Sequence, residues 1–425
     1  MMRRLTTALV ILTAAAAPAA AQSSLSDQFS HLFTFGSCGE PLCLDVNAAV
    51  HGQHFNPDIV QGENNLLGFL TGAIATSLGN LPFTAASGGV TFRFENGVPV
   101  ATSVSAGPIY GERAQTLGRG RVLFGMNLTG ISMDNIRGVP LNDLNLVFTH
   151  QNVGDPALGD PEFERDIIEV NLDMQLKLLV TSVFASVGLA DNLDLGVLVP
   201  LVRASLTGSS QAQVVPFDRP TPHQFGTQSS QSDVATSSSD ASATGIGDIA
   251  LRLKANLFQG PSLGFGAIAD VRLPTGAEED FLGSGATNVR VLGVLSGRSG
   301  NFSPHLNAGF AYRSGTNQNN SMLATIGFDH LLSESVSIAA DVITDLELGE
   351  SKLLLPEPVV FTAPTVTTVS LTDIPNQKDN FVDASFGMKA QLPGDIRAVA
   401  NILFPLADAG LSPKFLWTFG FERTF

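Results

Sequence analysis

A transmembrane antiparallel up-and-down β-barrel, all-β and of 14–16 strands, with a small N-terminal plug or periplasmic segment, is the fold class predicted by this 425-residue sequence. Three observations carry it. Phe415, Trp417, Phe419, Phe421 and Phe425 fall on every second position, so they share one face of a strand. The chain is 44% hydrophobic and only 15% charged, yet beyond its first residues no apolar run is long enough for a helix to cross a bilayer. Connections between alternating segments are short, then long, in turn. A barrel wall between lipid outside and a polar lumen inside needs all three; a secreted soluble β-sandwich array accounts for the alternation but not for the aromatic stripe.

The two ends agree. Arg3 and Arg4 precede an apolar run, Leu5 to Ala17, and Ala19-Ala20-Ala21 follow. That order is a secretory signal cleaved near Ala21, not a membrane anchor. Residues 1–21 are therefore read as signal peptide, 22–86 as plug or periplasmic segment and 87–425 as barrel, in the outer membrane of a Gram-negative-type bacterium. At the other end, Arg423 interrupts the aromatic face. An arginine costs about 2–4 kcal/mol at mid-bilayer but little near the headgroups, where a position two residues from Phe425 belongs. The formal charge is −16, and losing Arg3 and Arg4 makes the mature chain more acidic still, which excludes nucleic acid as a partner.

Alternation and turn residues mark 88–95, 98–107, 119–131, 142–150, 166–188, 193–206, 245–258, 262–273, 287–298, 302–313, 321–330, 335–346, 380–391, 395–404 and 413–425. Bacterial barrels have even strand numbers, so this odd set holds one miscounted element, placed before residue 110. Gln259-Gly260-Pro261, Gly300-Asn301, 331–334 and 392–394 are short connections; 208–244, 274–286, 314–320, 347–379 and 405–412 are longer, and the rule of short periplasmic turns puts the longer ones outside. Segment 166–188 exceeds the roughly 9–11 residues that cross hydrocarbon, so it projects beyond the membrane.

Leu66, Phe69, Leu70, Ala73, Ile74 and Leu78 keep helical spacing, after a cap at Asn64 or Asn65. This is a short plug helix in the mouth, or else a periplasmic tail or a poorly patterned first strand. Residues 208–244, rich in Ser, Thr and Gln, read as a mobile external loop. In 347–379, Leu353-Leu354-Leu355 and Val359-Val360-Phe361 are apolar enough to fold over the mouth, or merely to extend the flanking strands.

Cys38 and Cys43 are the only cysteines, and in the periplasm they imply a local disulfide. His51 and His54, near Asp58 and Glu63, lack a spaced third ligand, so no metal site is expected and a polar segment is the better reading. Strand parity turns Asp248, Arg252, Lys254, Asp270, Arg272, Arg290, His305, Asp341, Asp383, Lys389, Arg397 and Glu422 toward the lumen, with Asp248 opposite or diagonal to Arg272. These charges pair to rigidify a narrow wall, or some line a solute path. No G-x-S-x-G, P-loop or H-E-x-x-H occurs, so neither catalysis nor a cofactor is expected. Glu278-Glu279-Asp280 reads as a solvated loop rather than a calcium site.

The aromatic end, Phe415 to Phe425, resembles the C-terminal strand of bacterial outer-membrane barrels, which serves as their assembly signal; the resemblance implies barrel-assembly machinery and outer-membrane lipid as partners. Gly245-Ile246-Gly247-Asp248, Leu251-Arg252-Leu253-Lys254, Val271 to Gly276, Phe281 to Gly285 and Pro304 to Phe310 resemble the outer-membrane barrel family labelled "putative MetA-pathway of phenol degradation", related to barrels for fatty-acid and aromatic-hydrocarbon uptake. Gly107 to Ala114 with Gly118 to Arg121 is similar to a segment near the first strands of such proteins. Over roughly residues 85–425 this implies passive uptake of small hydrophobic molecules, with no catalytic residues to carry over. The other expectation is a non-transporting scaffold that acts through its external loops.

Overall fold

The computed structural model describes residues 23–36, 41–45, 54–81, 92–95, 98–101, 107–151, 166–217, 223–227, 229–361 and 365–425. Twelve antiparallel strands close a barrel: β1 Val122–Ile136, β2 Asp166–Ala190, β3 Leu193–Pro216, β4 Ala250–Gln259, β5 Leu263–Arg272 and β6 Asn288–Gly297, then β7 Phe302–Arg313, β8 Ser321–Ser333, β9 Val336–Glu347, β10 Phe381–Leu392, β11 Ile396–Pro405 and β12 Leu411–Thr424. Each pairs with the next in sequence, and β12 returns to β1, Thr418 opposite Thr129 and Thr424 opposite Leu123. Closure leaves no edge of this ring unpaired, which is what hydrocarbon demands of a spanning sheet.

The count is twelve, not 14–16. Segments 88–95 and 98–107 give a separate hairpin, Phe92–Glu95 with Val98–Ala101, and 142–150 gives Leu144–Phe148, which pairs with the 168–172 stretch of β2 outside the ring and bridges to Thr372. Alternation reports a two-faced strand; it does not say which partner closes the ring.

The outward face is lipid-like. Phe124, Met126, Leu251, Leu253, Phe265, Val291, Leu306, Phe310, Ile326, Val342, Phe386, Phe419 and Phe421 are all exposed, while their strand neighbours point into the lumen. Such a surface is stable only against lipid. Trp417 lies against Gly130 of β1, where a Cβ would meet the indole at 2.4 Å. Arg423 is accommodated by Phe425, whose ring centroid lies 4.7 Å from the guanidinium carbon.

Strands β2 and β3, 25 and 24 residues long, rise above this wall as a tall ribbon. The pattern inverts along β2. Leu179 and Val183 face out to lipid, whereas Ile168, Val170, Leu172, Met174, Leu176, Leu178 and Val180 face in and are buried. Above the inversion the outer partners are Asn171, Asp173, Gln175 and Lys177, which face water. Leu178-Leu179-Val180 is thus where the strand leaves the membrane: below it the apolar face turns outward, above it inward. Val234–Ile246 pairs with β3 beyond Leu201, then a break at 247–249 leads into β4 on the same edge. Residues 208–244 are accordingly not one mobile loop: 208–216 continue β3, and 234–246 form a long strand. Ser and Thr on both faces suit a strand standing in water, where its backbone bonds to a neighbour whatever the side-chain polarity.

The buried face of the ribbon is covered by two helices, α1 Leu25–His31 and α2 Asn56–Asn80. Leu25, Phe29, Leu32 and Phe33 join β2, β3 and α2 in one core. Ser24 caps α1 through a capping box with Asp27. Helix α2 buries Leu66, Phe69, Leu70, Ala73 and Ile74, the set given by its spacing. It starts well before Asn64, because Pro57 occupies the first turn, where a missing N–H costs nothing. Short turns lie at one end of the barrel and long connections at the other, so the short-turn end is periplasmic and α2 lies at the outer mouth.

Candidate functional site

Between α2 and β1 the chain re-enters the barrel. Residues 107–118 run extended through the lumen and emerge beside Asp191 and Asp194 at the periplasmic end. In a closed barrel this segment has no strand edge to pair with, so its peptide groups need side chains as partners. Six wall strands supply them. Lys389 of β10 donates to the Pro108 carbonyl, and Asp341 of β9 accepts from Tyr110 N at 3.3 Å. Asn307 of β7 brackets Glu112, accepting from its N–H at 2.7 Å and donating to its carbonyl at 2.9 Å. Ser296 of β6 and Asn256 of β4 do the same for Ala114, at 3.1 and 2.8 Å. Asp194 of β3 accepts from Leu117 N at 2.9 Å.

Charges lock the segment in place. Glu112 meets both Arg252 and Lys254, the latter at 3.1 Å; Arg252 is also bidentate to Asp270 at 2.6 and 2.8 Å. Arg290 adds a bond to Asp270 at 2.6 Å. Arg113 pairs with the fully buried Asp329. His305 Nε2 and Asp341 Oδ1, 2.6 Å apart, press against Gly111, where a Cβ would meet that nitrogen at 2.2 Å. Any side chain at Gly111 would push the segment off the wall. Arg397 and Glu422 pair at 3.1 Å.

Of the twelve lumen candidates, Arg252, Lys254, Asp270, Arg272, His305, Asp341, Lys389 and Glu422 are buried, and Arg290 and Arg397 half-buried. Asp383 is half-buried near the outer end of β10. Asp248 sits in the 247–249 break, diagonal to Arg272, whose register partner is Ala250, and accepts from Gly276 N and Ser284 N at 3.1 and 2.8 Å, tying down the 273–287 connection. Glu112, Arg113, Asp194 and Asp329 complete this constellation without belonging to the twelve lumen candidates. Asp329 stands on the same inward parity as Asp341 and was findable; Glu112 and Arg113 belong to no wall strand.

The outer mouth is covered as well. Residues 348–361 and 365–380 fold over it: Leu353 joins the α2 core, and Phe361 and Leu371 pack with Val147 and Ile167. Arg137, at φ 49°, anchors this cover through Asp379 at 2.9 and 2.8 Å, the Pro375 carbonyl at 3.0 Å and Ser351 Oγ at 2.7 Å, with its guanidinium 5.2 Å from the Phe69 ring centroid. A mixed but mainly apolar cleft of about 140 Å³ opens between α2 and the cover, lined by Leu66, Phe148, Leu353, Leu355, Leu371 and Ile374, with Asp58, Gln61, Asn65 and Thr372 among its polar groups. A smaller cavity, about 60 Å³, lies in the lumen between the end of α2 and residues 109–112. Cys43 is disulfide-bonded; Cys38, like His51 and the signal segment, lies outside the described residues. His54 is not in a polar tail: it is fully buried.

No curated protein matches the chain. Among solved structures, the COG4313 outer membrane channel from Pseudomonas putida F1 is similar at 12% identity and a TM-score of 0.45, over 73% of this chain and 98% of that one. A Pseudomonas aeruginosa FadL homologue is similar at 10% identity and 0.32, over 72% and 90%. A mutant of the TodX monoaromatic hydrocarbon channel gives 11% and 0.31, over 76% and 95%. Residues 168–346, from β2 to β9, match the family described as "Putative MetA-pathway of phenol degradation".

Proposed function

We propose that this barrel admits small hydrophobic molecules across the outer membrane, past a plug made of its own chain. The observation that carries the reading is the mainly apolar cleft between α2 and the cover, set directly above a lumen closed by residues 107–118. A pore for ions or sugars needs a continuous wet passage lined by polar groups. Here many polar groups of the lumen bond to the plug or to one another, and the cleft is mainly apolar. A hydrophobic solute loses water in the cleft and needs only the plug, held by hydrogen bonds and ion pairs, to shift.

The test is uptake into protein-bearing and empty liposomes, with phenol and a fatty acid as probes because the family description names phenol degradation. Faster entry into protein-bearing vesicles is expected for at least one of them; equal rates for both would remove the reading. The same charges favour a second reading, a scaffold whose lumen stays shut. Arg113→Ala leaves Asp329 buried without its guanidinium and loosens the plug. Planar-bilayer conductance should then rise above wild type. A conductance that stays at zero in both, with no uptake, supports the scaffold.

A further inference from the structure

The structure assigns to His54, His150 and His223, with Asp166 behind them, a binding site for a divalent transition ion of the zinc class. One ring nitrogen from each histidine lies within 4.8 Å of the other two, and His54 Nε2 faces His223 Nε2 at 3.0 Å. Zinc–imidazole bonds of about 2.0–2.1 Å place tetrahedral ligand nitrogens roughly 3.4 Å apart, a spacing inside that range. All three rings and Asp166 are buried, at 0%, 6%, 0% and 1% exposure.

The surroundings are those of a built site. Asp166 Oδ2 lies 2.7 Å from His223 Nδ1, and Oδ1 lies 2.8 Å from His150 Nε2. A carboxylate that accepts a hydrogen bond from His223 Nδ1–H leaves Nε2 with its lone pair free for a metal, the usual arrangement behind a metal-bound histidine. His54 and His150 are held together by their backbones, Gln151 N donating to the His54 carbonyl at 2.6 Å. Asp58 of α2 adds bonds from Thr149 N and the Gln151 amide, each at 2.9 Å. Phe55 closes one side, 4.2 Å from the His150 ring and 5.2 Å from that of His223. Imidazole donors select zinc, copper, nickel or cobalt over calcium and magnesium, which take oxygen.

The three ligands and Asp166 come from four separate stretches: the residues just before α2, the residue after Thr149, the connection beyond β3, and, for Asp166, the first residue of β2. An ion bound there would staple the start of α2 to the crest of the ribbon. The site does not depend on what, if anything, passes the lumen.

Untagged mature protein, stripped with chelator in detergent, is titrated with Co(II) and then Zn(II). Wild type should take up one ion per chain, with a tetrahedral Co(II) ligand-field band that Zn(II) bleaches. His150→Ala and His223→Ala should abolish the band, and Asp166→Asn should weaken zinc binding by about tenfold to hundredfold. Heat-modifiable migration in gels confirms that each variant barrel is folded. Bound zinc should also slow proteolysis of α2 in wild type only. Absence of stoichiometric uptake by the wild-type chain overturns the assignment, whatever the variants do. So does equal uptake by the folded triple variant His54→Ala/His150→Ala/His223→Ala.

Discussion

Arg137 shows how much one side chain carries at the mouth. It stands in left-handed backbone, a region that costs a non-glycine residue roughly 1–3 kcal/mol, and its fork reaches Asp379, Pro375 and Ser351 at once. The strain is tolerated because the guanidinium bonds three groups of the cover at once. Arg137→Ala leaves Asp379 buried beside an empty slot and should destabilise the cover by about 3–5 kcal/mol. Limited proteolysis should then cut within 348–380 while the barrel itself remains resistant. Unchanged cleavage would show that Leu353, Phe361 and Leu371 hold the cover alone. No sequence pattern announced this latch, because Arg137 and Asp379 lie in connections with no periodicity.

Helix α2 is the element whose seating responds to pH. Burial pushes the Asp58 carboxyl above its ordinary value, against the opposing effect of hydrogen bonds from Thr149 N and Gln151. The seated state therefore holds this proton more tightly than the unfolded chain does. Its stabilising contribution is complete below the unfolded carboxylate range and fades as pH rises through the raised value. Protection of α2 from protease should accordingly fall from about pH 4 toward neutrality in the metal-free protein. With Asp58→Asn the decline should flatten, and the same slope in both proteins would assign the effect elsewhere. The helix itself was legible, since Leu66 to Ile74 keep one apolar face. Its place was not: a helical stripe says that a face is buried, not that the covering surface is the inner side of β2 and β3.

For the whole molecule, two solvents meet along single strands. An apolar side chain on the outer wall gains from lipid, and the same residue above Leu178 gains only if it points inward to α1 and α2. Ile326, 62% exposed on β8, lies well inside the wall. Ile326→Arg should cost about 2–4 kcal/mol of barrel stability, measured by denaturant unfolding in lipid vesicles. Lys177→Arg on the water-facing side of β2 should cost almost nothing. Similar losses at both positions would mean that the membrane boundary does not fall at 178–180.

By itself, the sequence determined the class of fold, because period-two alternation is a local property that survives without any partner. Which strands close the ring, which segment fills it and which distant histidines meet were decided only in three dimensions. Those outcomes depend on pairing between stretches far apart in the chain. Residues 107–118 make the contrast plain: their peptide groups are satisfied by side chains from six strands, and no reading of the twelve residues alone contains those partners.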